Sequence, residues 1–319
     1  MPLFNAGSII KETRLAQGLT QEKLAEGICS RHTVVKIENG SRRPDWSTFR
    51  ALARRLGLEP EMYSDIITEK EARVVKANSE LARTADRDHA AFAATIAEME
   101  KDNAFKKGFG LLIYKRALIA KYTNPLLHSP EDFPKSLELA VELAFDMLRT
   151  NRPDFDIDKI DSYYLSHDEM FELGQLANAY KRMEKNDKAL ELYQALAANY
   201  DRNYMGIIGS YRQRYIWSLN SAIILCQTER YEDSLKIIDE ELKNALITND
   251  MILIHRYMRF KVQALFGLGR TEEGEEWCKK FVCMSYGMVG ATNVPSMTEI
   301  FEEYEKYTGK KFVLHIEAE

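Results

Sequence analysis

Hydrophobic positions recur at helical spacing along most of the chain, and the breaks between these runs carry glycine, proline or a capping side chain. In the first sixty-odd residues this pattern predicts five short helices. The first spans 5–17 and stops at Gly18; the second spans 21–26, capped by Thr20 and ended by Gly27. Ser30 caps a third over 31–38, closed by Asn39-Gly40, and Asp45 caps a fourth over 46–56 after the loop proline Pro44. A last short helix is expected around 59–66, with Pro60 near its first turn. Leu15, Leu19, Leu24, Ala25, Val34, Ile37, Phe49, Leu52, Ala53 and Leu56 are expected to form one compact core.

Beyond residue 66 the pattern stays helical. Helices are expected within 69–80, 89–107 and 135–149, separated by loops at Asn124-Pro125, Ser129-Pro130 and 151–166. Gly108-Phe109-Gly110 is not a phosphate loop, because no GxGxxG follows and no strand precedes it. A weak internal repeat then appears at 184–190, 229–235 and 269–275, with spacings of 45 and 40 residues. Each copy follows one apolar helix and precedes another, and each has a small residue (Ala189, Ser234, Gly274) where two helices of a hairpin would approach closely. This resembles tetratricopeptide-type repeats, lengthened beyond the usual 34 or so residues. Polar groups on the first helix of each hairpin are the ligand candidates: Asn178, Lys181, Arg214, Asn220, Gln227, Arg256 and Arg259. Amides can meet a peptide backbone and arginines a carboxylate, although such groups also serve simply to bridge adjacent helices. A polar capping helix is expected over 296–307, and 312–316 as a packed tail or short strand.

The third helix carries the most specific chemistry. With Val34 and Ile37 facing inward, Arg31, His32, Val35 and Lys36 are left on the outer side. Two short helices joined by a tight turn form a geometry that can enter the major groove of DNA, where arginine reads guanine in a bidentate manner. Val35 suits a thymine methyl, and Gln21 is placed to hold a phosphate and buttress the third helix. Asn39, Arg42 and Arg43, in and after the closing turn, complete the candidate DNA-binding set, the two arginines suiting phosphate oxygens. Arg31 and His32, at the N-terminal end of the helix, would be the first to reach base edges, although the His32 ring suits a phosphate or solvent equally well. Charge supports this reading. Residues 1–58 hold ten lysines and arginines against five acids, whereas the rest holds 34 against 44, so a basic head precedes an acidic body.

The remaining composition narrows the class. A chain of 319 residues with mean hydropathy −0.38 has room for two domains, 1–66 and 67–319, and is expected to be cytoplasmic. It has neither an apolar run long enough for a membrane span nor the blocks of a signal peptide. Its four cysteines read as reduced thiols, Cys29 as a core residue of the turn. Six scattered histidines suggest no metal constellation, and no cofactor, P-loop or nucleophile elbow is expected, so an enzyme is the least favoured class. His167-Asp168-Glu169 reads as the start of a helix rather than an acid–base pair.

The segment 19–26 (Leu-Thr-Gln-Glu-Lys-Leu-Ala-Glu), followed by Ile37-Glu38-Asn39-Gly40 and Arg43-Pro44, resembles the XRE/Cro/cI-type helix-turn-helix. It implies an all-α protein: a five-helix, lambda-repressor-like head followed by a TPR-like α-solenoid. The turn Gly27-Ile28-Cys29-Ser30 is one residue shorter than usual and resembles the Rgg, PlcR and ComR group of peptide-pheromone-responsive regulators. That likeness implies a homodimer on a double-stranded operator, its two half-sites about 34 Å apart or a multiple of a helical turn. It also implies a short peptide on the concave face of the repeats. Two other readings remain: a body that only dimerises or binds a protein partner, and a Rap-like interaction scaffold, against which the basic third helix argues.

Overall fold

A computed structural model describes residues 6–60, 69–85, 87–204, 212–247, 249–289 and 295–313, and every regular element among them is helical. The chain divides into two units, Met1–Gly209 and Ser210–Glu319. The boundary expected after residue 66 thus falls inside the first unit.

The head holds α1 (Ala6–Ala16), α2 (Gln21–Ala25), α3 (Arg31–Glu38) and α4 (Trp46–Arg55). Their starts are set locally: Thr20, Ser30 and Asp45 each accept the backbone N–H three residues on, at 3.1, 3.1 and 2.8 Å. The expected helix around 59–66 lies largely outside the described residues. Ile10, Leu24, Val34, Ile37, Trp46, Phe49 and Leu52 are buried as one core. Leu15 does not join them: it is 58% exposed, because the inner face of α1 runs through Ala6, Ile10 and Arg14 at helical spacing. Leu19 is only half-buried, at the margin of the core.

The same core continues into α5 (Glu69–Thr84), α6 (His89–Lys101) and α7 (Gly108–Tyr122), through Val74, Leu81, Phe92, Ile96, Phe105 and Ile113. At Gly110 a Cβ would lie 1.9 Å from the Ala104 carbonyl oxygen, so this glycine serves close backbone packing. Three further helices, α8 (Phe133–Asn151), α9 (His167–Arg182) and α10 (Asn186–Tyr204), complete the first unit. Ser166 and Glu169 form a reciprocal capping box at the start of α9, so His167-Asp168-Glu169 opens a helix as expected.

In the second unit α11 (Arg212–Gln227) pairs with α12 (Tyr231–Ile247), and α13 (Met251–Gly267) with α14 (Thr271–Val289). The capping helix α15 (Pro295–Thr308) packs on α13 and α14. Phe312, in the tail, lies against Phe301 and Tyr304; residues 314–316 are outside the described residues.

The three repeat turns share one hydrogen-bonding scheme. Glu184, Glu229 and Gly269 all have left-handed backbone, with φ of 59°, 60° and 72°. In each case the next residue's N–H bonds a carbonyl five residues back: Lys185 to Tyr180, Arg230 to Leu225 and Arg270 to Leu265, at 2.9, 2.8 and 2.9 Å. These are Schellman closures, which satisfy helix carbonyls that would otherwise be orphaned. Five residues past each left-handed residue, Ala189 and Ser234 are fully buried, and a Cβ at Gly274 would sit 2.5 Å from the Phe266 ring. The small-residue requirement is therefore physical in all three hairpins.

Candidate nucleic-acid interface

The outer face of α3 rests on a platform tied together by Glu38, a buried residue at the end of that helix. Arg14 of α1 donates to its two carboxylate oxygens at 2.6 and 2.9 Å and to the Leu19 carbonyl at 2.8 Å. Gln21 of α2 donates from Nε2 to the same carboxylate at 2.8 Å. Burial opposes the Glu38 charge, but Arg14 and Gln21 hold it below the usual carboxylate range. Three helices are thereby fixed relative to one another before any ligand arrives. Gln21 leans on α3, in the buttressing position expected for it.

On this platform Val34 and Ile37 are buried while Arg31, His32 and Lys36 are exposed and Val35 is half-buried, so the inner and outer faces fall as the periodicity implies. The side chain of Arg31 reaches back to α2, where its Nε lies 2.6 Å from the Glu22 carboxylate. Asn39 turns its side-chain oxygen to the Ser41 N–H and hydroxyl, at 3.0 and 2.6 Å, and so shapes the closing turn. The Arg42 N–H bonds the Lys36 carbonyl at 3.0 Å, which places Arg42 beside the end of α3; Arg42 and Arg43 are both exposed. An exposed row of cations with one hydrophobic group among them can contact phosphates and base edges together. Cys29 is partly buried in the turn, and burial pushes its thiol up to about 11.

The opposite side of the head is bound to the rest of the first unit by charges that the sequence reading did not single out. Arg55 is fully buried. It donates to the Lys23, Leu24 and Glu26 carbonyls at the end of α2, to the Tyr164 carbonyl at 3.1 Å and to the Tyr204 hydroxyl at 3.2 Å. Glu26 returns a contact by accepting the Tyr164 N–H at 3.0 Å. Gly27, with φ of 67°, lies so near α9 that a Cβ there would be 2.1 Å from the Glu169 carboxylate. Arg152 binds that carboxylate from the other side at 3.0 Å.

Arg50 of α4 meets Asp168 of α9 at 2.7 Å, and Arg116 of α7 meets Asp168 and Glu172 at 2.9 and 2.6 Å. Burial disfavours the Asp168 charge, yet Arg50 and Arg116 hold its carboxyl far below the ordinary range. Burial pushes Glu172 up to about 7 against the pull of Arg116, and lowers the neighbouring His167 to about 3 with Arg54 adding to the effect. One signal for this network was present: Arg50 and Arg55 lie among Trp46, Phe49 and Leu52 on α4, too many cations for a helix whose every apolar face is buried.

The repeat helices place the ligand candidates in several environments. Asn178 accepts the Tyr193 hydroxyl of its own hairpin partner, and Lys181 is half-buried. Arg214 is paired with Glu241 and stacked by Tyr215, and Arg259 is buried against Glu303 and Glu299, its closest contact 2.9 Å. Asn220 is half-buried, and Gln227 and Arg256 are exposed. Arg214 and Arg259 thus bridge helices within the second unit. Among the described residues no cluster of three or more His, Cys, Asp and Glu could hold a metal ion, and no helix is long and apolar enough to cross a membrane.

Several known structures match the chain along nearly its whole length. Bacillus thuringiensis PlcR in complex with the peptide PapR7 and DNA is 18% identical, covers 97% of this chain and 100% of its own, and superposes with a TM-score of 0.55. The apo form of the competence regulator ComR from Streptococcus vestibularis is 14% identical over 95% of this chain and 97% of its own, with a TM-score of 0.44. ComR from S. thermophilus, in complex with DNA and its signalling peptide ComS, is 12% identical over 95% and 99%, with a TM-score of 0.37. No curated protein matches the sequence. The likeness to PlcR is one of fold. The family model that matches covers residues 10–62, the platform and the outer face of α3 described above, and it identifies this part of the chain as a helix-turn-helix domain.

Proposed function

We propose that the protein is a cytoplasmic transcription regulator that binds DNA sequence-specifically as a homodimer, with 1–66 as the DNA-binding domain and 67–319 for ligand binding and dimerisation. The observation that carries this reading is the exposed face of α3, with Arg31, His32 and Lys36 outward on helices locked by Glu38. Arg31 and Val35 read base edges; Gln21, Lys36, Arg42 and Arg43 position the backbone; His32 and Asn39 flank the contact. A duplex selected from a random-sequence DNA library supplies the test ligand. Replacing Arg31 and Lys36 together by alanine is expected to weaken binding to it by at least about tenfold, since one good bidentate pair contributes about 1–3 kcal/mol of discrimination. Unchanged binding would overturn the assignment.

A short peptide is the controlling ligand in this reading. The shared fold with PlcR, itself crystallised with a peptide and DNA, supports it. Peptide contacts in this reading fall among Asn178, Lys181, Arg214, Asn220, Gln227, Arg256 and Arg259, of which Asn178 and Arg214 also bond their hairpin partners and Arg259 bonds the capping helix α15. That internal pairing favours a second reading in which the repeats bind a protein partner or only dimerise. Calorimetric titration with short hydrophobic peptides separates the two: heat from at least one supports the first, and none from any supports the second.

A further inference from the structure

One exposed ion pair lies on the reading surface itself. Glu22, the second residue of α2, reaches across the turn to Arg31, the first residue of α3. Their side chains are 62% and 61% exposed, so the pair contributes little to folding. The remaining charges of α2 are matched elsewhere: Lys23 pairs with Glu26 at 3.0 Å. A carboxylate here is a liability to a surface that binds phosphates, which calls for a compensating role.

We propose that Glu22 is a specificity-determining positioning residue that aims Arg31 at a base edge and keeps it from acting as a sequence-blind phosphate clamp. The inference rests on the DNA-reading assignment above. A guanidinium is a planar fork, and its nearest approach to Glu22 is at Nε, the atom nearest the stem. Held there, the side chain loses rotational freedom, and its terminal nitrogens, Nη1 and Nη2, have the spacing that guanine O6 and N7 require. A phosphate brought to the same arginine would meet the Glu22 carboxylate as a like charge, whereas guanine presents neutral acceptors. Specificity is a difference of affinities, and a repulsive group that penalises the wrong mode raises it as effectively as a new attraction.

The test compares wild type, Glu22→Gln and Glu22→Ala on the duplex selected by wild type and on a scrambled duplex of equal length, over a range of salt. Thermal melting first establishes that the variants remain folded. Glu22→Ala is expected to bind the scrambled duplex more tightly, with a salt slope steeper by about 0.9 for each phosphate gained. It should bind the selected duplex more weakly, so that discrimination falls by about tenfold, of the order of one base contact. Replacing the most strongly selected guanine by 7-deazaguanine, which lacks N7, should weaken wild type and leave Glu22→Ala unaffected. Glu22→Gln keeps an acceptor for Nε but not the charge, so it should retain 7-deazaguanine sensitivity while its salt slope steepens as in Glu22→Ala. Unchanged discrimination and slope in a folded Glu22→Ala protein would overturn the inference. Failure of wild type to select any duplex would instead remove the DNA-reading assignment beneath it.

Discussion

Asp168 offers the sharpest test of how the head is held. Its carboxylate is shared by Arg50 of α4 and Arg116 of α7, and the three side chains are 17%, 7% and 13% exposed. With Glu172, the cluster contains two cations and two anions at a pH high enough to ionise Glu172. Asp168→Asn removes one anion and leaves a buried positive charge without a partner, which costs about 3–5 kcal/mol. For a unit of 209 residues that is a fall in melting temperature of about 6–20 °C. Arg50→Met errs the other way, leaving one carboxylate in excess, and should cost a similar amount. The double variant restores balance, with Arg116 and Glu172 as the surviving pair. It should therefore be less destabilised than the sum of the two single changes by at least about 1.5 kcal/mol, as expected for coupled neighbours. Thermal melts at pH 8.5 of the four proteins give the cycle. If Asp168→Asn melts within about 2 °C of wild type, or the two changes add, the cluster is not the lock described.

Two further outcomes follow from the same reasoning. His167 is held neutral, its pKa lowered to about 3 by burial and then by Arg54. The unfolded chain therefore binds a proton near pH 6.5 that the folded one refuses. Its contribution to stability is complete above pH 6.5 and is lost as pH falls toward 3, by about 2 kcal/mol at pH 5. Glu172, raised to about 7, acts with opposite sign over 4.5–7, so the quantity to read is the difference between wild type and His167→Gln in melts across pH 5–7.5; an identical pH slope in both would refute the His167 argument. In α14, Gly274→Ala places a methyl 2.5 Å from the Phe266 ring, whereas Gly287→Ala meets nothing within 4 Å. The first should destabilise by about 1–3 kcal/mol and the second stabilise by up to about 1, and equal effects in urea titrations would refute the packing account.

The head was legible in the sequence because its determinants are local. Thr20, Ser30 and Asp45 act on backbone three residues away, so spacing alone marks where each helix begins. The repeat turns were legible for the same reason: a left-handed residue followed five positions later by a small one leaves a trace in composition. Leu15 misled because an apolar residue on a short helix was assigned inward, while the inner position is held by Arg14, whose charge is met by Glu38 from another helix. The network behind the head was not legible, since Arg50 and Asp168 are 118 residues apart and nothing in either neighbourhood names the other. The same holds for Arg214 with Glu241 and Arg259 with Glu303, whose acids lie 27 and 44 residues away in sequence.

Among the described residues one hydrophobic core holds side chains from Ala6 to Ala117, and Arg55 ties the same body to Tyr164. Reading DNA and folding are therefore assigned to different lengths of chain. The residues that would touch an operator fit within sixty, but the compact unit that carries them runs from Met1 to Gly209. Moving such a head alone to another protein would strip Arg50 of Asp168 and Arg55 of Tyr164 and Tyr204, and so uncover two buried cations on its back.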